Sequence, residues 1–311
     1  MLNAIPVVTH EDILEAGLPL SEVFKLVQHG FSLHGQGLYE NPPKQGLHPR
    51  PRAFMHAMPA YLPSLDIAGT KLVSVYPDNP AKGLDATTGM VVMMDPDTGL
   101  SKAFVDAMWI TNIRTAMVSM VATKWLSPKE NPVFGIVGAT GASGRAHIEC
   151  IAEMFPGAEV LVNSRSLERC EQVLKDFSPL DCVMRVEMNQ EALTKQCDVL
   201  VVCTAKLLEP IFKPEWLHPG QNVLNVHAMG WQKDIWRHVD LVSCDDWKQL
   251  SDPTNGVTLH YEGMTVDFEL GQVVTKKHPG RTDDRQVIFS FNYGLAIFDV
   301  LLADWILRRL S

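Results

Sequence analysis

The sequence lacks a surplus of positive charge, because 27 lysines and arginines stand against 36 aspartates and glutamates, a net charge of −9. General nucleic-acid binders and polybasic membrane-surface proteins both need a basic face, so both classes are excluded. The sequence also lacks a run of about 18 apolar residues. Its first residues lack the basic segment and apolar core of a secretory signal. We therefore expect neither a transmembrane helix nor secretion.

Cysteine is scarce, and the six cysteines present follow none of the spacings of a zinc site. A chain of 311 residues can bury a sufficient core without disulfides. We therefore expect free thiols, no metal and a reducing, cytoplasmic location. Hydrophobic residues make up 46% and charged residues 20%, which is typical of a globular protein, and the length predicts two domains.

The first third of the chain combines helices with short strands. Residues 1–35 have helical apolar spacing, and residues 54–107 form short apolar or alternating runs that predict a largely antiparallel sheet. Residues 41–52 are rich in Pro and cations, so we expect irregular structure there. The sequence DPDTG at 95–99 predicts a hairpin turn.

A different pattern begins after a long apolar helix near residue 110. Buried strands alternate with helices, which indicates a parallel sheet covered on both faces. We place this α/β domain at 126–280, inserted into an α+β domain made of 1–125 and 281–311. The last helix is apolar almost all round, so it must pack against the N-terminal domain or a second subunit.

The segment PVFGIVGATGASGRAH predicts a strand, a glycine-rich turn and the start of a helix. Glycines allow a tight turn and close approach to a pyrophosphate, and the helix N-terminus offers free N–H groups. A glycine turn without a ligand is the alternative, but the flanking strand and helix favour dinucleotide binding. The expected contacts are Gly138, Thr140, Gly141, Ala142, Ser143 and Gly144.

The end of the next strand bears on which nicotinamide cofactor is bound. NAD sites usually place an acid there, whereas this chain has Asn163, Ser164, Arg165 and Ser166. A guanidinium flanked by serines suits a 2′-phosphate, so NADP(H) is favoured and NAD(H) stays possible. The alternative is that Arg165 is an ordinary exposed cation at a helix start.

Several stretches in order, among them AGTKLVSVYPDNPAKG, TNIRTAMVS, PEWLHPGQNVLNV and YGLAIFDVLLA, resemble the ornithine cyclodeaminase/μ-crystallin family. The resemblance implies a Rossmann domain inserted into a dimerisation and substrate domain, and a homodimer. Family members include cyclodeaminases, amino-acid dehydrogenases and ketimine reductases. It also implies that Lys71 is the active-site lysine and that Arg114 grips the substrate carboxylate.

The resemblance implies further substrate contacts with less defined roles. Thr88 falls where family members place a polar active-site residue. Lys44 stands where the family often has an arginine, and Arg50 or Arg52 is an alternative source of that cation. His56 is either an acid or polar wall of the pocket, or a satisfied buried histidine.

Two departures from the family pattern affect the predicted chemistry. The glycine turn is one residue longer than usual. Met229 stands where cyclodeaminases carry an aspartate, and methionine cannot transfer a proton. The sequence therefore favours reduction of a small α-imino acid, or the reverse oxidation of an amino acid, by hydride transfer. The alternatives are ornithine cyclodeaminase-type deamination and a non-catalytic NADPH or small-ligand binder.

Three of the remaining candidates follow predicted strands of the α/β domain. Ligands of open α/β sheets bind at the carboxyl ends of the strands. His227 is a candidate for substrate contact, and Thr204 and Met229 are candidates for cofactor contact. The family resemblance implies a further cofactor contact at Gly294. Asp299 is expected to cap or bridge the last helix. Trp109, Trp231 and Trp236 belong either to a bulky pocket or to the core.

Overall fold

The computed structural model describes residues 5–204, 207, 209–226, 230–253 and 260–310. Its contacts divide the chain into two compact units, residues 1–114 with 295–311 and residues 115–294. The second unit is thus inserted between two pieces of the first. The second unit begins at residue 115 and ends at residue 294, whereas the predicted boundaries were 126 and 280.

The described residues form helices and strands with the following bounds. The helices are α1 (His10–Glu15), α2 (Leu20–Gln36), α3 (Met108–Leu126), α4 (Ala142–Met154), α5 (Leu167–Asp176), α6 (Gln190–Gln196), α7 (Trp247–Leu250), α8 (Leu270–Val274) and α9 (Ala296–Leu310). The strands are β1 (Val7–Val8), β2 (Gln45–Arg50), β3 (Ala53–Leu62), β4 (Ile67–Val75), β5 (Thr87–Met94), β6 (Ser101–Asp106), β7 (Phe134–Val137), β8 (Ala158–Asn163), β9 (Cys182–Val186), β10 (Val199–Val202), β11 (Asn222–Asn225), β12 (Leu241–Cys244), β13 (Phe268–Glu269) and β14 (Ile288–Phe291). Short 3-10 helices lie at Asn79–Lys82, Pro214–Trp216 and Ile235–Arg237.

The first unit contains a six-stranded sheet in the order β1-β6-β5-β4-β3-β2. All neighbours pair antiparallel except β1 and β6, which confirms the predicted largely antiparallel sheet. The predicted turn joins β5 to β6, where the Asp95 carboxylate accepts the N–H groups of Asp97 and Thr98 and Gly99 has a φ of 70°. Such a carboxylate–backbone turn is the reason Asp is frequent in hairpin loops.

The expectation of irregular structure at residues 41–52 was wrong for part of that segment. Residues 45–50 form β2, an edge strand that pairs only with β3. Pro49 is compatible with this position because an edge strand leaves one side of its backbone without a ladder partner. The local composition therefore indicated a sheet edge rather than a loop.

One face of this sheet is covered by α9, and α2 packs on α9. The Phe31 and Phe298 rings lie 4.7 Å apart between the two helices. A Cβ on Gly30 would come within 2.7 Å of the Phe298 ring, so glycine allows the helices to approach closely. The last helix therefore packs against the N-terminal unit, one of the two alternatives that its apolar surface left open.

The opposite face of the sheet carries exposed apolar side chains. Leu72 and Met90 are each 44% exposed and lie opposite each other on β4 and β5. The other exposed large apolar side chains of this face are Val7, Leu47 and Met55. We call these five residues the outer apolar face. A patch of neighbouring exposed apolar residues is typical of an interaction surface.

The second unit contains an eight-stranded parallel sheet in the order β13-β12-β14-β11-β10-β7-β8-β9. The strand order reverses between β7 and β10, which is the topological switch point of a Rossmann sheet. The predicted parallel α/β domain is therefore confirmed. Every residue of β7, β8 and β10 except Glu159 is buried, which explains their near-continuous apolar sequence.

Two tryptophans, Trp231 and Trp236, belong to the core of the second unit or pack against it. Trp231 is fully buried and stacks on Phe212, with 4.7 Å between ring centroids. Trp236 packs against the same core, and the Arg237 guanidinium lies over its ring. Trp109, on α3 in the first unit, is partly exposed. All six cysteines are free thiols, as predicted. Within the described residues, no helix is both long and apolar enough to cross a membrane.

Candidate active site

Three charged side chains meet in the interior of the first unit. The Asp299 Oδ1 atom accepts a hydrogen bond from Lys71 Nζ at 2.7 Å and another from Arg114 Nε at 3.0 Å. Asp299 is fully buried, Lys71 is 1% exposed and Arg114 is 5% exposed. Buried charges are tolerated only when they are paired and hydrogen-bonded, so these three residues form one electrostatic unit. We call them the charged cluster.

Glycine makes the approach of α9 to the sheet possible. Gly69 lies on β4 two residues before Lys71, on the same face. A Cβ at Gly69 would lie 2.8 Å from the Val92 carbonyl oxygen and 3.1 Å from a Val300 methyl group. Because Gly69 has no side chain, α9 packs directly on β4, and Asp299 reaches Lys71 from the adjacent helical position.

The surroundings of the charged cluster change its titration. Burial, together with the Arg114 charge, lowers the pKa of Lys71 from 10.5 to about 7, although Asp299 acts in the opposite direction. Burial by itself would raise the pKa of Asp299, but Arg114 and Lys71 outweigh it and hold that pKa below 3.8. The cluster at neutral pH therefore contains a carboxylate, a guanidinium and an amine that is close to its own pKa.

The hydrogen bonds of the charged cluster leave part of Arg114 available. Only its Nε atom donates to Asp299, and within the described residues its two Nη atoms donate to no protein group. The second carboxylate oxygen, Asp299 Oδ2, is buried and likewise has no partner among them. A guanidinium fixed through Nε presents a planar pair of N–H donors, the geometry that binds a carboxylate in two places.

Two further side chains lie near the charged cluster. Burial, together with the charges of Lys44, His48 and Lys71, lowers the pKa of His56 to about 4. His56 is therefore neutral at pH 7 and can serve as a polar wall there, but not as a cationic acid. Lys44 also contributes to the lowered pKa of Lys71, so it is close enough to add positive charge to this region.

The structure separates two predicted substrate residues from the charged cluster. On β5, Val91 pairs with Lys71 and Thr88 pairs with Ser74, so Thr88 is exposed on the opposite face of the sheet. The structure therefore does not bring Thr88 together with the charged cluster, because side chains alternate along a strand and a shift of one residue reverses the face.

The two arginines that were alternatives to Lys44, Arg50 and Arg52, also lie away from the charged cluster. Arg52 forms an exposed ion pair with Asp78 at 2.7 Å, in a turn where its φ is 63°. Arg50, at the end of edge strand β2, is exposed and donates to the carbonyl of Pro49. Neither arginine is placed with Lys71, so Lys44 is the cation of this segment that the structure brings to the site.

Asp299 was missed as a site residue by the sequence reasoning, which assigned it to capping or bridging the last helix. It lies 228 positions from Lys71 and 185 positions from Arg114. A signal was nevertheless present, because Asp299 stands among Ile297, Phe298 and Val300 in an apolar helix. A carboxylate that must be buried needs a cationic partner elsewhere in the fold.

The glycine-rich turn lies in the second unit, at the switch point between β7 and β10. A Cβ at Gly138 would lie 2.9 Å from the backbone of Cys203 and Thr204, and one at Gly144 would lie 2.4 Å from the Gly138 carbonyl oxygen. Gly141 is different, because its Cβ would meet only one atom, at 3.5 Å. The turn could not form with a side chain at Gly138 or Gly144. A side chain at Gly141 would fit the turn, but it would occupy the space outside it.

Polar groups of this turn fit an anionic dinucleotide. Ser143 Oγ and Thr204 Oγ1 are buried and have no hydrogen-bond partner in the described part of the chain. Helix α4 begins at Ala142 directly after the turn, so its free N–H groups and positive dipole end lie there. The residues present thus suit a pyrophosphate, and the six predicted contacts, 138 and 140–144, lie together in this turn and the first residues of α4.

Four predicted cofactor contacts lie at the end of β8 and just after it, and three of them form hydrogen bonds within the fold. The Asn163 carbonyl accepts the N–H groups of Gly138 and Ala139, and its amide donates to the Glu187 carbonyl. Ser166 caps α5 by accepting the Arg169 N–H, and Ser164 bonds with Ser166. Arg165 is exposed and forms no ion pair with any described residue. Of the four predicted cofactor contacts, Arg165 is the side chain left most available.

The other predicted positions are at the carboxyl end of the sheet or outside the described residues. Gly294 follows β14, and its N–H donates to a carboxylate oxygen of the buried Asp245. Its φ of 78° is a conformation that favours glycine. His227 and Met229 lie outside the described residues, so their predicted roles stay predictions.

Comparison with known proteins gives a consistent result along the whole chain. The sequence pattern of the Ornithine cyclodeaminase/mu-crystallin family matches residues 6–311. The Rhizobium meliloti nodulation efficiency protein NfeD is 32% identical over 98% of this chain and 95% of its own length. The ketimine reductase mu-crystallin of Rattus norvegicus is 31% identical over 81% of this chain and 79% of its own. Among solved structures, an archaeal alanine dehydrogenase dimer with bound NAD is 26% identical, with a TM-score of 0.85 over 98% of this chain and 95% of that one.

Proposed function

Because this chain belongs to the ornithine cyclodeaminase/mu-crystallin family, we propose that it is an NAD(P)H-dependent oxidoreductase that reduces the C=N bond of a small α-imino acid. The reverse reaction would oxidise an amino acid. The observation that carries this proposal is the charged cluster, a buried lysine with a pKa of about 7 beside an arginine whose Nη atoms are available. A ketimine reductase and an alanine dehydrogenase among the similar proteins act on the same kind of bond.

Arg114 is the proposed anchor for the substrate. Its Nε is held by Asp299, which leaves two parallel N–H donors for the carboxylate of an α-imino acid. A carboxylate bound there completes the charge balance of the cluster, because one anion faces two cations in the described residues. Neutral His56 and the cation Lys44 are the proposed walls beside it.

Lys71 is the proposed proton donor. Reduction of C=N adds a hydride to carbon and a proton to nitrogen, so the product amine needs one proton from a nearby acid. An acid with a pKa near the working pH is the most effective donor, and Lys71 meets that condition because burial and Arg114 lower its pKa. Asp299 contacts Lys71 and Arg114, and it is proposed as the residue that orients both.

The hydride would come from a nicotinamide cofactor, which supplies the electron pair when bound. The turn at 138–144, Thr204 and the residues after β14 are proposed to hold it. We further propose a preference for NADP(H), supported by the exposed Arg165 at the end of β8 and by the absence of any acid in the sequence 163–166. A carboxylate at this place would ordinarily bind the ribose hydroxyls of NAD.

We also propose that the protein is a homodimer that pairs through the outer apolar face. Five exposed apolar side chains on one sheet face favour burial against another surface. The same-family alanine dehydrogenase is described as a dimer, and a two-fold pairing would cover the same face on both copies. The six free thiols support a reducing, cytoplasmic location for this enzyme.

The test is an absorbance assay with NADH and NADPH against pyrroline-2-carboxylate, piperideine-2-carboxylate and the imine of pyruvate with ammonia. We expect loss of the reduced cofactor with at least one imine. Lys71→Met should lower kcat by about 10²- to 10⁴-fold. Arg114→Lys should raise KM by about ten- to a hundredfold, because a bidentate ion pair is lost.

The control and the contrary outcomes are defined by the same assay. Lys102→Met removes an exposed lysine of the same unit, on β6, and should leave both constants unchanged. Ammonia release from ornithine without net change in cofactor would indicate a cyclodeaminase. Tight NADPH binding without turnover of any imine would indicate a binding protein. Full activity of Lys71→Met would refute the assigned proton donor.

A further inference from the structure

A series of buried polar side chains in the second unit is joined by hydrogen bonds and ends at Ser143, next to the proposed pyrophosphate site. Ser290 Oγ donates to Asn292 Oδ1 at 2.9 Å, and Asn292 Nδ2 lies 3.5 Å from Ser119 Oγ. Ser119 Oγ lies 2.9 Å from His147 Nε2, and His147 Nδ1 lies 2.7 Å from the Ser143 carbonyl oxygen. We call Ser119, His147 and Asn292 the polar relay. All three are at most 1% exposed.

The acceptors and donors of the polar relay fix its direction. The Ser143 carbonyl can only accept, so His147 Nδ1 carries a proton. In the neutral tautomer with its proton on Nδ1, His147 Nε2 accepts from the Ser119 hydroxyl. The Ser119 oxygen then accepts from the Asn292 amide. Each member thus has one compatible orientation.

The polar relay joins two parts of the sheet that are separated by other strands. Ser143 belongs to the glycine-rich turn after β7, whereas Asn292 directly follows β14. Strands β10 and β11 lie between β7 and β14, so the relay spans three strand spacings, roughly 14 Å. Asp245 accepts the Gly294 N–H and fixes the other end of the turn after β14. Both segments lie at the carboxyl edge of the sheet, where ligands bind.

We propose that the polar relay is a positioning device that couples the pyrophosphate turn to the segment after β14, so that the two ends of a nicotinamide dinucleotide are held in register. This rests on the proposed use of a nicotinamide cofactor. Removal of the Ser119 hydroxyl takes away the contact of His147 Nε2 and leaves a donor on Asn292 unpaired in the interior. Both segments then lose a fixed contact at the same time.

The experiment compares whole dinucleotides with fragments that lack the nicotinamide. Kd is measured by calorimetry for NADH and NADPH and for ADP-ribose and its 2′-phosphate. Ser119→Ala should raise Kd of the better-bound dinucleotide by about tenfold or more, since one buried unpaired group costs that much. The fragment lacks the nicotinamide and so does not depend on the segment after β14, and its Kd should rise distinctly less. Ser119→Thr keeps the hydroxyl and should restore most of the affinity.

Thr123→Val is the matched control. Thr123 lies one turn further along α3, is fully buried, and donates only to the Ser119 carbonyl oxygen. Its substitution should change every Kd by less than about twofold. Equal losses for dinucleotide and fragment in Ser119→Ala, or a control that loses as much, would overturn the coupling.

A second measurement does not depend on the cofactor. Nitrogen-15 NMR of the ligand-free protein should show His147 protonated at Nδ1 and unprotonated at Nε2 at neutral pH. A proton on Nε2 overturns the relay. If the wild type bound neither dinucleotide, the proposed function would fail, while this NMR result would still decide the direction of the relay.

Discussion

Replacement of Asp299 by Asn tests the charged cluster most directly. The change keeps the shape of the side chain but removes the anion that faces Lys71 and Arg114 in the interior. The lowering of the Lys71 pKa from 10.5 to about 7 means that its charged form already costs about 5 kcal/mol on folding. Asp299 is the group that limits this cost, so its loss should lower the Lys71 pKa further.

The expected effect on stability follows from proton binding. The folded-state pKa of Lys71 lies below its unfolded value of 10.5, so the unfolded chain binds more protons from about pH 7 to 10.5, and stability rises with pH there. In Asp299→Asn, the pH range in which stability rises should begin at a lower pH, because the Lys71 pKa is lower. Removal of one partner of a buried ion pair costs about 3 to 5 kcal/mol. The loss should be larger at pH 5.5 than at pH 8, because the amine of the variant can be neutral at pH 8.

The assay combines urea unfolding at both pH values with the pH dependence of kcat/KM for imine reduction. Activity should fall as pH rises through the Lys71 pKa, and Asp299→Asn should move this decline to lower pH by about one unit or more. Asp304→Asn is the control, since Asp304 lies on the same helix and pairs with Arg308 at the surface. It should cost less than about 1 kcal/mol. An unmoved decline in Asp299→Asn, or the same loss in both variants, would refute the reasoning.

Three shorter predictions concern the cofactor turn and the outer apolar face. Arg165→Ala should weaken NADPH about tenfold or more and leave NADH within about twofold, as measured by fluorescence titration; equal changes would contradict the 2′-phosphate assignment. Gly144→Ala should lower the melting temperature, because its Cβ would lie 2.4 Å from a backbone oxygen, whereas Gly141→Ala should keep stability but weaken cofactor binding. Leu72→Asp should convert a dimer to a monomer in light scattering, while Leu167→Asp, at an exposed leucine outside the outer apolar face, should not.

The folds of the two units could be predicted because the sequence patterns that indicate them are local. Continuous apolar strands separated by helices indicated the parallel sheet, and the glycines indicated a tight turn between the first of these strands and its helix. The hairpin at Asp95 was predictable because its stabilising hydrogen bonds join residues at most three apart. Edge strand β2 was not, because its pairing with β3 overrides a local composition that is typical of a loop.

The site was only partly predictable for a related reason. Lys71 and Arg114 were identified through a family resemblance, but their common partner Asp299 depends on how α9 packs on β4. Thr88 lies on the other face from Lys71, and the sequence alone could not show this because the face of a strand residue depends on register. Contacts between distant positions and sheet register are set by packing, which local patterns do not encode.

The long separation of Asp299 from Lys71 along the sequence has a consequence for how the protein is made. During synthesis, the sheet of the first unit and Arg114 emerge from the ribosome long before Asp299, which follows Lys71 by 228 positions. Until then, two cations destined for the interior have no anion to neutralise them, and burying them is costly. The inserted second unit can fold in the meantime, since domains generally fold as units. Closure of the first unit around Lys71 and Arg114 therefore has to wait until Asp299 has been made, and Lys71 acquires its lowered pKa only then.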